Sequence, residues 1–323
     1  MTHSVPLTRR RFGQVAASAL SLLTWPQLAP AAQLHSTYKG VRLGVITGSI
    51  AGQQPLPADR DPIDVLIERC IAVDAANVEL VSVYGPTPPA VVNGGRFGQV
   101  PAVVTPEYLA SREKLRQWRL AEPDDRYVEV RRKFQKAGLN LFSYVWTVSD
   151  DYSPEEIDAG FRKLRALGVK MFTTNQSRFV VAPKVMPVAR KYGIYAAWHP
   201  HDNVDDAREI ATFRTLERLI DLSPEFRVNL DIGHFTAGNQ DAVAFLAQHH
   251  DRVTHLHIKD RKRNHGPNVQ LGTGDTPIAE CVRMVRDHKW PIYVLLEREY
   301  NGDGSPVEQT RWQMEYLRKL LDT

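Results

Sequence analysis

Four short apolar runs in the second half of the chain each end in side chains that bind metal ions. Asp231 and His234 follow Phe226-Arg-Val-Asn-Leu230, and His257 lies within Arg252-Val-Thr-His-Leu-His-Ile258. Glu297 closes Pro291-Ile-Tyr-Val-Leu-Leu296, and Gly193-Ile-Tyr-Ala-Ala-Trp198 runs into His199-Pro-His201. A single imidazole or carboxylate at a strand end more often caps a helix or accepts a hydrogen bond. Four of them at equivalent positions have no such common structural reason. Neighbouring strands lie ~4.8 Å apart, so side chains at four adjacent strand ends can converge on one cation. The expected ligands are His199, Asp231, His257 and Glu297, with His201 the alternative to His199. Mixed imidazole and carboxylate ligation suits a divalent transition metal, Mn, Co, Fe, Ni or Zn, with Mn favoured.

Positioning such a set requires parallel strands that all end on one side. Val41–Thr47 and Val78–Val83 have strand character, and a helix from Pro62 through Ala76 opens on Asp61 as N-cap. Pro106 to Ala137 is helical, broken near Pro123. A unit then repeats in Gln135-Lys-Ala-Gly-Leu-Asn-Leu-Phe142, Arg165-Ala-Leu-Gly-Val-Lys-Met-Phe172 and Ala189-Arg-Lys-Tyr-Gly-Ile-Tyr-Ala196. Each is a basic helix end, a glycine and a β-rich run, the glycine taking the left-handed conformation that stops a helix. Ser153-Pro-Glu-Glu156 is a capping box. Further strands follow at Phe226–Asp231, Arg252–Ile258 and Pro291–Glu297, with helices at Asp241–His250, Ile278–His288 and Pro306–Leu321. Eight strands alternating with about eight helices predict an α/β fold, a single-domain (β/α)8 barrel over residues 34–323. A doubly wound open sheet is the other architecture, but no glycine-rich phosphate turn follows the first strand.

The 323 residues are 43% hydrophobic and 24% charged, with a net charge of +4, which suits a large packed core. The basic residues form no stripe for nucleic acid. Cys70 and Cys281 sit in helix-like apolar patterns and suit buried thiols better than a disulfide. Thr8-Arg-Arg-Arg-Phe12, an apolar run from Val15 to Leu28 and Ala29-Pro-Ala31 make residues 1–33 an expected twin-arginine leader. Its apolar run is too short and polar for a good membrane span of roughly 20 residues. The expected location is therefore the periplasm or another exported site, with no stable membrane insertion after the leader is removed.

Asp231-x-x-His234, His257-x-Lys-Asp260 and Glu297 together resemble the xylose-isomerase-like TIM barrel superfamily of sugar isomerases and epimerases. Gly272-x-Gly-Asp275 resembles the loop after the seventh strand in many members. The resemblance implies Asp231, His257 and Glu297 as metal ligands and His234 as a substrate contact. It also implies proton removal next to a carbonyl, with a metal polarising the oxygens. One departure stands out: the epimerases end the fifth strand in a glutamate, where this chain has His199-Pro-His201. A metal-bound neutral imidazole cannot take a C–H proton as that glutamate does.

The expected activity is therefore 3-keto-glycoside 1,2-lysis, a β-elimination of the aglycone known among members of the superfamily. Glu297 or His201 is the expected base, and His234 or Lys259 the expected acid. A sugar isomerase or epimerase acting on an unphosphorylated sugar is the first alternative. An inactive periplasmic sugar- or metal-binding protein is the second. Further expected substrate contacts are Arg263, Asn175 and, by stacking, Trp198, for which core packing is the equal alternative. Tyr84, Arg96 and Trp118, in and beside the long Gly85–Thr105 loop, are expected to close over substrate or a partner subunit, so a homo-oligomer is left open. Glu299 is expected beyond the barrel rim, and Glu79 has no assigned role.

Overall fold

In a computed structural model of the chain, the described residues are 34, 37–52, 56–94, 100–175, 178–300 and 302–323. The predicted leader and Arg96 lie outside them. Eight parallel strands close into a barrel: β1 (Arg42–Ile46), β2 (Asn77–Leu80), β3 (Asn140–Val145), β4 (Met171–Thr174), β5 (Tyr195–Trp198), β6 (Phe226–Asp231), β7 (Val253–Ile258) and β10 (Tyr293–Leu296). Each strand pairs with its neighbours in chain order, and β1 closes the ring against β10. Gly44 permits the close approach of β1 to β2, because a Cβ there would lie 2.1 Å from the Asn77 carbonyl oxygen.

Helices fill the connections: α1 (Thr47–Ala51), α2 (Pro62–Ala72), α3 (Pro106–Ala121), α4 (Asp125–Lys136), α5 (Pro154–Leu167), α6 (Ala182–Tyr192), α7 (Phe213–Ile220), α8 (Ile232–Ala237), α9 (Ala242–His249), α10 (Ile278–Asp287) and α11 (Pro306–Asp322). Their ends follow local chemistry. Asp61 accepts from Ile63 N at the start of α2. Ser153 and Ser305 form capping boxes with Glu156 and Glu308. Gly168 and Gly193 end α5 and α6 at φ of 82° and 62°. The break near Pro123 separates α3 from α4, as the sequence leads one to expect.

Several elements depart from the sequence expectation. The second strand stops at Leu80 instead of Val83. Short α1 and α8 sit where no periodicity announces them, because five or six residues span less than two turns. A two-stranded antiparallel ribbon, β8 (Asp260–Arg261) with β9 (Asn268–Val269), follows β7. Cys70 and Cys281 are buried and free. Among the described residues no helix is long and apolar enough to cross a membrane.

Candidate metal centre

Register brings the expected ligands together. Asp231 on β6 pairs directly with His257 on β7, and Leu295 on β10 pairs with the same His257. Glu297 follows one residue beyond β10, its N–H donating to Ile258 O at 3.0 Å. His199 follows one residue beyond β5, donating to Thr174 O at 3.2 Å. Ser49 of α1 brackets Glu297: its hydroxyl donates to Leu296 O at 3.1 Å and accepts from Arg298 N at 2.9 Å. One nitrogen or oxygen from each of His199, Asp231, His257 and Glu297 lies within 4.8 Å of all the others.

The Asp-x-x-His spacing has a structural cause of its own. Asp231 Oδ1 accepts from His234 N at 2.7 Å and so caps α8. Its second oxygen lies 3.2 Å from His199 Nε2. One carboxylate thus caps a helix and faces the ligand group.

The donor set fits a transition-metal ion. Two imidazoles and two carboxylates supply mixed N/O donors. Glu297 Oε2 lies 2.9 Å from both His257 Nδ1 and Lys259 Nζ, yet neither approach has hydrogen-bond alignment. A cation among these atoms needs no such alignment.

Electrostatics set the protonation states. Burial opposes the Asp231 charge, but Lys259 outweighs it and holds the carboxyl well below its ordinary range. Burial likewise opposes ionisation of Glu297, and Lys259 and His257 overcome it. Lys259 Nζ lies 3.0 Å from Asp231, 2.9 Å from Glu297 and 2.7 Å from Glu299. Those three carboxylates outweigh burial and push its ammonium pKa upward. In the metal-free protein Lys259 is a buried cation that balances these carboxylates.

Glu79, unassigned from the sequence, lies beneath this group. It is fully buried on β2; its Oε1 accepts from Ser143 Oγ at 2.8 Å and from the Thr173 hydroxyl, with His255 Nε2 at 3.2 Å. Its Oε2 lies 2.6 Å from His257 Nε2. A carboxylate behind one ring nitrogen fixes the tautomer that offers the other to a metal. In the metal-free protein burial opposes protonation of His257, and Glu297 and Glu79 outweigh it, lifting the imidazole to about 10. Glu79, His255 and His257 could also hold an ion. That set shares His257, and a neutral imidazole has a lone pair on one nitrogen only. The outer set is the better candidate, because His199, His257 and Glu297 line a cavity of about 850 Å³ that the inner pair does not reach.

His234 and His201 line the same cavity. Arg261 Nη1 donates to His234 Nδ1 at 2.7 Å. The same Nδ1 lies 3.3 Å from Asp202 Oδ1, so it faces both a donor and an acceptor. Burial and Lys259 lower the His234 pKa, keeping the ring neutral. Asp202 is held well below the carboxylate range by His234 and Arg261. Burial and the neighbouring His199 drive His201 well below an ordinary imidazole.

The other expected contacts divide. Asn175 lines the cavity. Trp198 does not: strand alternation turns it away from His199, and it is fully buried with its ring edge-on to Phe226. Arg263 is exposed on the ribbon turn, its N–H donating to Asp275; Arg261 lines the cavity in its place. Glu299 stands three residues past the end of β10, beyond the rim as expected, and lines the cavity there. Tyr84 and Trp118 line a separate cavity of about 450 Å³ with Tyr144 and Trp146. They do not close over the metal centre. Arg261 and Asp202 escaped the sequence reading because neither ends a strand of the barrel. The adjacency of Asp202 to His201 was the one available signal.

Comparison with known proteins follows this geometry. Residues 183–320 match the family model described as xylose isomerase-like TIM barrel. An inosose dehydratase of Lactiplantibacillus plantarum is 35% identical over 154 residues, covering 42% of this chain and 50% of that protein. An inosose dehydratase of Clostridium perfringens is 23% identical over 156 residues, with 42% and 51% covered. The chain thus spans about half the length of the curated relatives it matches. Among solved structures, the 3-keto-D-glucoside 4-epimerase of E. coli superposes with a TM-score of 0.59 at 14% identity, covering 86% of this chain and 99% of that one. The chain folds as a closed eight-stranded barrel, an architecture it shares with that epimerase, and the family model matches its second half.

Proposed function

We propose that the protein is a metal-dependent carbohydrate enzyme that removes a proton next to a carbonyl, and that its reaction is 1,2-elimination from a 3-keto-glycoside. The carrying observation is the asymmetry of the centre: a histidine pair, His199 and His201, stands where a two-base epimerase needs a second carboxylate. Supporting it, curated relatives over half their length are named dehydratases, and a fold neighbour is named for a 3-keto-D-glucoside.

His199, Asp231, His257 and Glu297 would hold the ion, whose chemistry is polarisation of the substrate carbonyl. Glu297 is committed as a ligand. His201, neutral in the cavity, takes the C2 proton. The electrons of that C–H bond form the C1–C2 double bond as the C1–O bond breaks. The aglycone oxygen takes up a proton, which the His201 imidazolium can return. His234, in the cavity wall, hydrogen-bonds a substrate oxygen. Lys259 keeps the carboxylates ionised without joining proton transfer.

Metal-loaded protein incubated with 3-keto-glucosides tests this. Release of aglycone with a 2-hydroxy-3-keto-glycal supports elimination. A configurational change alone assigns the epimerase reading, which the fold neighbours favour. Bound metal without turnover assigns a binding protein. His257→Ala is expected to lose metal, and unchanged metal content there would remove the site.

A further inference from the structure

The metal cavity does not end at His201. A second cavity of about 580 Å³ adjoins it, and the two share Asn175, His201 and Asp202. Every described residue lining the second cavity is polar or charged. Arg178 is set into it with 11% of its side chain exposed, 3.0 Å from Asp150, 3.8 Å from Asp206 and 3.9 Å from Glu209. Arg208 is already gripped by Asp206 at 2.6 Å. Four carboxylates, Asp202, Asp205, Asp206 and Glu209, therefore face two guanidiniums, and both guanidiniums have carboxylate partners.

We infer that this cavity holds a second glycosyl unit of the substrate, and that the unit is a neutral or cationic polyol. The inference rests on the carbohydrate reading above and narrows it. A purely polar lining offers little to an alkyl or aryl aglycone, which gains affinity by burying apolar surface. The surplus of carboxylates opposes a phosphate or an acid, since like charges brought together cost affinity. The substrate class is then an uncharged or amino-substituted disaccharide, its keto-sugar at the metal and its partner sugar between Asn175 and Arg208.

The test is calorimetric binding to the metal-loaded protein of three probes: the 3-keto derivatives of methyl glucoside, of sucrose, and of sucrose phosphorylated on its fructosyl unit. Product formation is followed alongside. The expected result is binding of 3-keto-sucrose at least tenfold tighter than the methyl glycoside. The phosphorylated probe is expected to bind at least fivefold more weakly than 3-keto-sucrose at low salt. That gap narrows as salt screens the carboxylates, and it narrows in Asp205→Lys, an exposed position that tolerates the change. Equal affinity for the methyl and sucrose probes, or tighter binding of the phosphorylated one, overturns the inference and leaves the proposed reaction standing. Binding of none of the three overturns both.

Discussion

At the scale of single residues, the ligand group depends on a side chain that touches no cavity. Glu79 Oε2 fixes one nitrogen of His257, so the other faces Glu297. Glu79→Gln keeps the size of the side chain but can present its amide nitrogen to His257 and loses the carboxylate charge. Metal affinity is expected to fall about 10- to 100-fold with the fold intact. Competition against a chromophoric chelator measures the affinity, and circular dichroism checks the fold. Affinity unchanged within twofold would reduce Glu79 to a packing role. The residue was hard to read from sequence for a physical reason. A strand taken as Val78–Val83 puts Glu79 near its beginning, whereas the strand Asn77–Leu80 puts it one residue from its end. His199, Asp231, His257 and Glu297 stood out because each follows an apolar run that can only be a buried strand. Trp198 was misjudged through the period of two: next to an inward His199, it had to face the core.

At the scale of elements, the chain announces itself wherever a cap or a glycine is needed. Ser153, Gly168 and Gly193 were legible because helix ends leave backbone groups that only certain side chains or backbone angles satisfy. Helix α8 was not, because its cap is Asp231, a residue already accounted for by another chemistry. Asp61 ties several elements at once. It caps α2 and lies 3.0 Å from both Arg126 and Lys133 of α4. Burial opposes its charge, but Arg126, Lys133 and the Ile63 N–H hold its carboxyl well below the ordinary value. A carboxyl depressed in the folded state stabilises it above the unfolded pKa of about 3.9, and that contribution fades as pH falls further. Asp61→Ala is therefore expected to cost about 1–2 kcal/mol near neutrality. The difference from wild type should shrink as pH drops below about 4. Asp61→Asn keeps a capping oxygen and loses the charge, so it should fall between the two. Urea unfolding of the three proteins at pH 7 and pH 3 reads both effects, and a deficit independent of pH would exclude the ion pairs.

At the scale of the molecule, the four expected ligands come from β5, β6, β7 and β10, contiguous around one half of the barrel. That arrangement was readable because strand order in the barrel repeats chain order. An unfolded chain cannot assemble ligands so far apart in sequence, so an ion held there stabilises the closed ring by mass action, about 2.7 kcal/mol at a hundred times its Kd. Removing it with a chelator should lower Tm by several degrees without unfolding the protein. The reason is Lys259, 2% exposed, whose ammonium meets Asp231, Glu297 and Glu299 in the metal-free state. Lys259→Met deletes that cation and leaves buried carboxylates uncompensated, a change that costs roughly 3–5 kcal/mol where charges are left unpaired. The loss should be largest in metal-free protein and should shrink on adding Mn or Co, since a divalent ion among the same oxygens replaces the missing charge. Thermal unfolding of wild type and Lys259→Met, each with and without metal, separates the two contributions. A Lys259→Met protein that no divalent metal restores would mean that the ammonium and the ion do not share these carboxylates, and the centre would lie elsewhere.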